Sequence, residues 1–219
     1  MRIDILVFSG VDELDALGPL EVFRNAASAG ADFRTRLVSL DGKDDIIGSH
    51  GLRFGVDAAL GADAALGSGE RTELLIVPGG GWAARAAQGA WAEANRGAIP
   101  QAIAKNYRAG SMVASVCTGA MLLAAAGLLK GRHATTHHSA IEELRASGAE
   151  IVPARIVDDG DIVTAGGVTS GIDLGLYLVE RFAGESIAEK VAIGLEYERR
   201  GPVHVSGAAE RTALRRVAP

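Results

Sequence analysis

The chain carries one cysteine among 219 residues, Cys117. No intramolecular disulfide is possible, so the fold has to stand on its apolar core, and a reducing cytoplasm is the expected setting. An excess of positive charge is also missing: the formal net charge is -5 and the pI is near 5.6. A surface that tracks phosphates needs clustered Lys and Arg, so nucleic acid is not the expected partner. The opening MRIDILVFSG has a short apolar run with no cleavage-type segment after it, and reads as a first strand rather than a signal peptide. Residues 111–129 contain no charge, but they are rich in Ala, Gly, Ser and Thr and their period changes midway. A buried strand running into a buried helix accounts for them, and no membrane span is expected. The five histidines, His50, His133, His137, His138 and His204, have no carboxylate or thiolate partners at metal-ligand spacing along the chain, so no metal site is predicted. No His follows Cys117 directly, which removes the adjacent Cys-His pair of a protease.

What is present is a packed α/β pattern. Hydrophobic residues make up 48% and charged residues 22%, the balance of a globular domain rather than of a disordered chain. Apolar strands are predicted at 3–8, 33–40, 73–81 and 112–116, with a short one at 132–136. Helical spacing covers 15–30, 91–110 with a break near Gly97 and Pro100, 118–131, 139–148, 170–184 and 185–200. Residues 154–167 read as a hairpin about Asp159-Gly160. Pro19 fits a first helical turn, where its missing N–H costs nothing. Alternating elements imply a mostly parallel sheet covered on both faces, and ligands in such sheets bind beyond the carboxyl ends of the strands. One domain is expected over 1–200, with 201–219 as a C-terminal tail, either a loop or a docking arm.

Three segments fall at those carboxyl ends: 9–19, 78–81 and 117–119. Cys117, between a strand and a helix, has the setting of a nucleophile elbow. The helix N-terminus brings N–H groups and positive dipole to the sulfur, and both favour thiolate. Thr118 adds a hydroxyl and an amide, and Gly119 permits close approach of a neighbouring chain. Asp15 lies among Leu14, Ala16 and Leu17 and is either a proton-handling carboxyl or the cap of its helix. Asp12 and Glu13 are read as more solvated. Pro78-Gly79-Gly80-Gly81 can aim amides at an anionic atom or be a plain turn; it has neither the lysine of a P-loop nor GxGxxG spacing. His137 either faces the cleft or satisfies a loop.

The segments SVCTGA (115–120), AAAGLLKGRHATTHH (124–138), VPGGG (77–81), LDALGP (14–19) and GGVTSGIDLGL (166–176) together resemble the DJ-1/PfpI superfamily. Within it they are most similar to the isocyanide (isonitrile) hydratases, from residue 3 to about 198. The resemblance implies a flavodoxin-like three-layer sandwich that forms a homodimer and uses neither metal nor organic cofactor. It implies Cys117 as nucleophile, Asp15 as its acidic partner and Thr118 as a supporting hydroxyl. The amides of Gly80 and Thr118 are implied as stabilisers of developing negative charge, with Gly81 and His137 beside the substrate. His138 stands where the hydratases have Trp, Leu17 where they have Thr, and ERRGPVHVSG where they carry a PPFNxGSP-like stretch. A small-molecule substrate is expected, with hydration of an isonitrile to an N-substituted formamide as the first reading. The alternatives are glyoxalase, deglycase or amidase-like cysteine chemistry, and a non-enzymatic sensor of oxidants or ligands. Related regulators add a helix-turn-helix segment, and this sequence shows none.

Overall fold

The computed structural model describes residues 1–42, 45–61 and 71–207. Four strands make the middle of one eight-stranded sheet: β1 (Arg2–Leu6), β6 (Leu74–Val77), β7 (Met112–Ser115) and β11 (Ile162–Ala165). Every residue of these four is buried, so each needs cover on both faces. The sheet runs β12 (Val203–Val205), β10 (Ile156–Asp158), β11, β7, β6, β1, β2 (Arg34–Ser39), β5 (Ala58–Ala59). All pairings in it are parallel except β10 with β11, the hairpin whose turn holds Gly160 at φ 93°. Two short strands, β3 (Ile46–Ile47) and β4 (Arg53–Phe54), pair antiparallel beside it, and β8 (His133–Ala134) pairs with β9 (Glu150–Ile151).

Two helical groups supply the cover. One is α1 (Glu13–Ser28) with α6 (Ser170–Ala183) and α7 (Glu185–Gly194); the other is α2 (Ala90–Arg96), α3 (Ala98–Arg108) and α4 (Gly119–Ala125). A 3-10 turn (His138–Ala140) leads into the short α5 (Ile141–Ala146). The result is the mostly parallel, helix-flanked α/β sheet that the alternating pattern implies. The break expected in 91–110 falls at Gly97, left-handed at φ 81°, and Pro100 sits in the first turn of α3.

Some boundaries differ, each for a local reason. Helix α1 opens at Glu13 because Asp12 caps it, so Pro19 lies inside the helix and not in its first turn. Its missing N–H deprives the Asp15 carbonyl of a helical partner. Helix α7 stops at Gly194 instead of running to 200. Part of the segment expected as a tail pairs with β10 as the edge strand β12, fixed there by Ser206 Oγ donating to Asp159 at 2.5 Å. Residues 208–219 lie outside the described residues. Helices α1 and α6 meet through small residues: a Cβ at Gly171 would lie 3.1 Å from Pro19, and one at Gly175 would lie 2.9 Å from Val22. That close approach brings the start of α6 beside the first turns of α1.

Candidate active site

The carboxyl ends of β1, β6, β7 and β11 release four loops at one edge of the sheet, and Cys117 stands among them. β7 is in register with β6 and β11 up to Ser115, and then the chain turns. Val116 N–H donates to Val77 C=O at 3.1 Å and Cys117 N–H to Ala165 C=O at 3.2 Å, so the turn is tied to both neighbouring strands. Cys117 itself is left-handed at φ 56°, one of three described non-glycine residues with positive φ. Such a conformation costs on the order of 1–2 kcal/mol and persists only where the surroundings impose it. One tie comes from outside the turn: Thr136 Oγ donates to the Cys117 carbonyl at 2.8 Å. Thr136 was overlooked in the sequence, although the doubled threonine before the histidines is the visible signal. Gly119 is required because a Cβ there would strike the carbonyl of Val77. The elbow is therefore present as expected.

The side chain is more enclosed than an exposed elbow suggests, with 6% of Cys117 accessible. Burial and the neighbouring Asp15 charge push its thiol well above the usual range, against the single amide of Thr118 directed at the sulfur. The thiolate expected from the helix N-terminus is thus opposed by the site's own dryness. α4 is only seven residues long and offers little dipole in return.

Asp15 is fully buried. It does not cap α1; that role belongs to Asp12, whose side chain accepts from Leu14 N–H at 3.2 Å. Asp15 Oδ2 accepts from Gly79 N–H at 2.9 Å, while Oδ1 has no hydrogen-bond partner among the described residues. Burial, and then the Asp12 charge, push its carboxyl up to about 8, only partly offset by the Gly79 amide and the Cys117 thiol. Both groups are driven towards their protonated forms, the thiol hydrogen-bonded to the carboxyl, so neutral pH leaves a proton on each.

The glycine loop locks against this pair. Gly79 has no room for a side chain because Thr118 fills the space, and a Cβ at Gly80 would run into the backbone of Asp12. Gly80 N–H donates to Thr118 Oγ at 3.0 Å. The amide expected to face developing negative charge is thereby committed, and the Thr118 hydroxyl it polarises keeps its own proton to donate. Gly81, at φ 68°, turns the loop and accepts from Ala86 N–H at 3.0 Å. His137 is half-buried on the loop after β8. Its Nδ1 accepts from Ser139 N–H at 3.2 Å, and burial, with His138 beside it, holds its pKa below the usual imidazole value. No hydrogen bond among the described residues joins it to Cys117 or Asp15.

One further acid differs from expectation. Glu13 is buried rather than solvated, accepting from His50 N–H at 2.8 Å and facing His50 Nδ1 at 2.7 Å. Burial alone would raise its pKa, but the hydrogen bonds from His50 and Leu52 overcome that and hold it at about 2. Asp12, Glu13 and His50 bring ligand-type atoms within 4.8 Å of one another, a grouping that chain spacing hides. Glu13 already holds the 48–52 loop with both oxygens, so the grouping reads as an ion-paired bracket. A cavity of about 480 Å³ opens there, lined by Asp12, Glu13, Leu14, His50, Leu52 and Val168, over the turn that carries Asp15.

The structure is a mostly parallel α/β sheet with a left-handed cysteine at the carboxyl ends of its central strands and a buried carboxyl beside the sulfur. The chain belongs to the DJ-1/PfpI family, which it matches over residues 1–181. It is 33% identical to an isonitrile hydratase of Pseudomonas putida over 90% of this chain and 78% of that protein. It is 30% identical to the HTH-type transcriptional regulator CdhR of Pseudomonas aeruginosa over 85% of this chain but 52% of that protein. Among solved structures, a THiJ/PfpI family protein from Pseudomonas syringae superposes with a TM-score of 0.76 at 29% identity, over 92% of this chain and 76% of that one. No helix among the described residues is long and apolar enough to cross a membrane.

Proposed function

We propose that the protein hydrates a small isonitrile, R–N≡C, to the formamide R–NH–CHO, with Cys117 as nucleophile and Asp15 as proton carrier. The observation that carries this reading is the fully buried Asp15, holding a proton beside the sulfur with one oxygen unpartnered. Sulfur attacks the terminal isonitrile carbon as the thiol proton passes to Asp15, and Asp15 delivers its own proton to that carbon, giving the thioimidate R–N=CH–S–Cys117. Water then adds to the same carbon, and Asp15 relays a proton from the water to nitrogen. The C–S bond breaks as the hydroxyl proton returns through Asp15 to sulfur, and the formamide leaves with thiol and carboxyl both restored. The Thr118 hydroxyl, polarised by Gly80, faces charge that develops during these steps. The likeness to an isonitrile hydratase over nearly the whole chain supports this choice among cysteine reactions.

The same reading includes a cytoplasmic homodimer. A groove of about 310 Å³ lined by Leu14, Leu17, Val22, Ile172 and Leu195 lies beside the first turns of α1, an apolar strip suited to a second copy. The test is a panel of isonitriles, methylglyoxal and peptides fed to purified protein. Formamide release that depends on Cys117 supports the reading. Consumption of methylglyoxal alone, or peptide cleavage, assigns other cysteine chemistry. No turnover of any of them, with ready oxidation of Cys117 by peroxide to a stable sulfinate, assigns a sensor.

A further inference from the structure

We propose that Asp12 makes the entrance to the cysteine site selective for charge, so that neutral electrophiles reach Cys117 and carboxylates are turned away. This inference rests on Cys117 as the reacting atom and not on the isonitrile as its substrate.

Asp12 is held in place from several directions. It is the N-cap of α1, its backbone N–H donates to the Gly79 carbonyl at 2.9 Å, and the Gly80 backbone packs against it too closely to admit a side chain. The cavity it lines has no Lys or Arg in its wall. The other acid there is already engaged: Glu13 faces His50 Nδ1 at 2.7 Å and accepts from the His50 backbone N–H at 2.8 Å. What remains is one carboxylate among Leu14, Leu52 and Val168, whose apolar walls weaken solvent screening. Among the described residues its side chain has one hydrogen bond, from Leu14, and its field is felt at Asp15, Cys117, His50 and His137. The positive end of α1 offsets the charge by about half an elementary unit. This net negative cavity, over the turn that carries Asp15, is the mouth we assign to the Cys117 site.

Alkylation by two reagents of nearly equal size tests this, because Cys117 is the single thiol in the chain. Rates with neutral iodoacetamide and anionic iodoacetate are measured at pH 7 and low salt, with 2-mercaptoethanol as the free-thiol reference. The protein is expected to disfavour iodoacetate by about tenfold more than 2-mercaptoethanol does, the effect of one partly screened charge. Asp12→Asn, which caps a helix about as well as Asp, should remove most of that factor. Asp12→Glu, which keeps the charge, should preserve it, and ~1 M salt should erase it in the unsubstituted protein. Equal discrimination by the protein and 2-mercaptoethanol overturns the proposal. Discrimination that survives in Asp12→Asn overturns the assignment to this residue and moves it to the Asp15 pair.

Discussion

Asp4 and Asp15 are both fully buried, and they have opposite surroundings. Asp4, on β1, faces Arg36 directly across the strand pair and accepts from its Nε at 2.9 Å and Nη2 at 3.1 Å. Thr72 adds a hydroxyl at 2.6 Å. Asp15, nine residues past the end of β1, has one amide and a thiol. Burial is the same, so compensation separates the roles. A buried carboxylate bound by a guanidinium and a hydroxyl is framework. A buried carboxyl without a cation keeps its proton, and a proton held beside a nucleophile can be moved. The middle of β1 thus anchors the sheet through Asp4, while the chain beyond its carboxyl end brings a carboxyl without a cation to the sulfur.

The comparison breaks most clearly by substitution. Cys117→Ala and Cys117→Ser should abolish turnover with the fold intact by circular dichroism; a tenth of the activity remaining in Cys117→Ala would exclude covalent catalysis. Asp15→Asn should lower turnover by ~10²–10⁴-fold, the worth of a positioned acid or base, with no loss of melting temperature. Asp4→Asn should do the reverse. It removes the charge that faces Arg36 and should cost about 3 kcal/mol in denaturant unfolding, with turnover per folded molecule unchanged. If both substitutions act alike, compensation is not what distinguishes the two sites.

Stability against pH sharpens the contrast further. The folded pKa of Asp15, about 8, lies above its ordinary 3.8, so the fold keeps a proton that the unfolded chain releases. Stability from this group therefore falls as pH rises between about 4 and 8. Glu13 has the opposite sign: its folded value of about 2 lies below the ordinary 4.5, so its contribution is present above 4.5 and is lost as pH falls towards 2. Asp15→Asn should flatten the decline on the alkaline side by a few kcal/mol and leave the acid side unchanged. A parallel pair of pH-stability curves would place the Asp15 proton elsewhere.

Much of this architecture is legible in the sequence because it rests on local pattern. The runs at 3–8, 73–81 and 112–116 are apolar without interruption, and that is how strands buried on both faces read. The Cys117 elbow was visible because a strand and a helix meet there with no residues to spare. What stayed hidden depends on distant partners. Strands β3, β4, β5 and β9 are two residues each, too short to carry a period. Asp12, Asp15 and Glu13 are three acids in one turn, and nothing in their spacing says that one caps, one brackets the 48–52 loop and one is buried. That division is made by Leu14 N–H, His50 and Gly79, two of which lie far along the chain. The thiol's raised pKa is hidden for the same reason: helix position is local and visible, whereas burial among four loops is not.

The smallest expected effect concerns the sulfur itself. Burial holds the Cys117 thiol protonated, and so do Asp15 and the charge of Asp12; Asp15→Asn removes only the Asp15 charge. Below pH 7 Asp15 carries its proton, so the substitution removes no charge, and alkylation by iodoacetamide should match the unsubstituted rate. Above about pH 8 Asp15 is ionised and repels a thiolate. There the variant should react several-fold faster, because the thiolate fraction sets the rate. Both proteins should stay slower than a free thiol of pKa near 8.5, since burial remains in each. A rate ratio that is constant from pH 6 to pH 9 would show that the charge of Asp15 does not act on the sulfur. An unsubstituted rate above that of the free thiol would return the elbow amides to the dominant role.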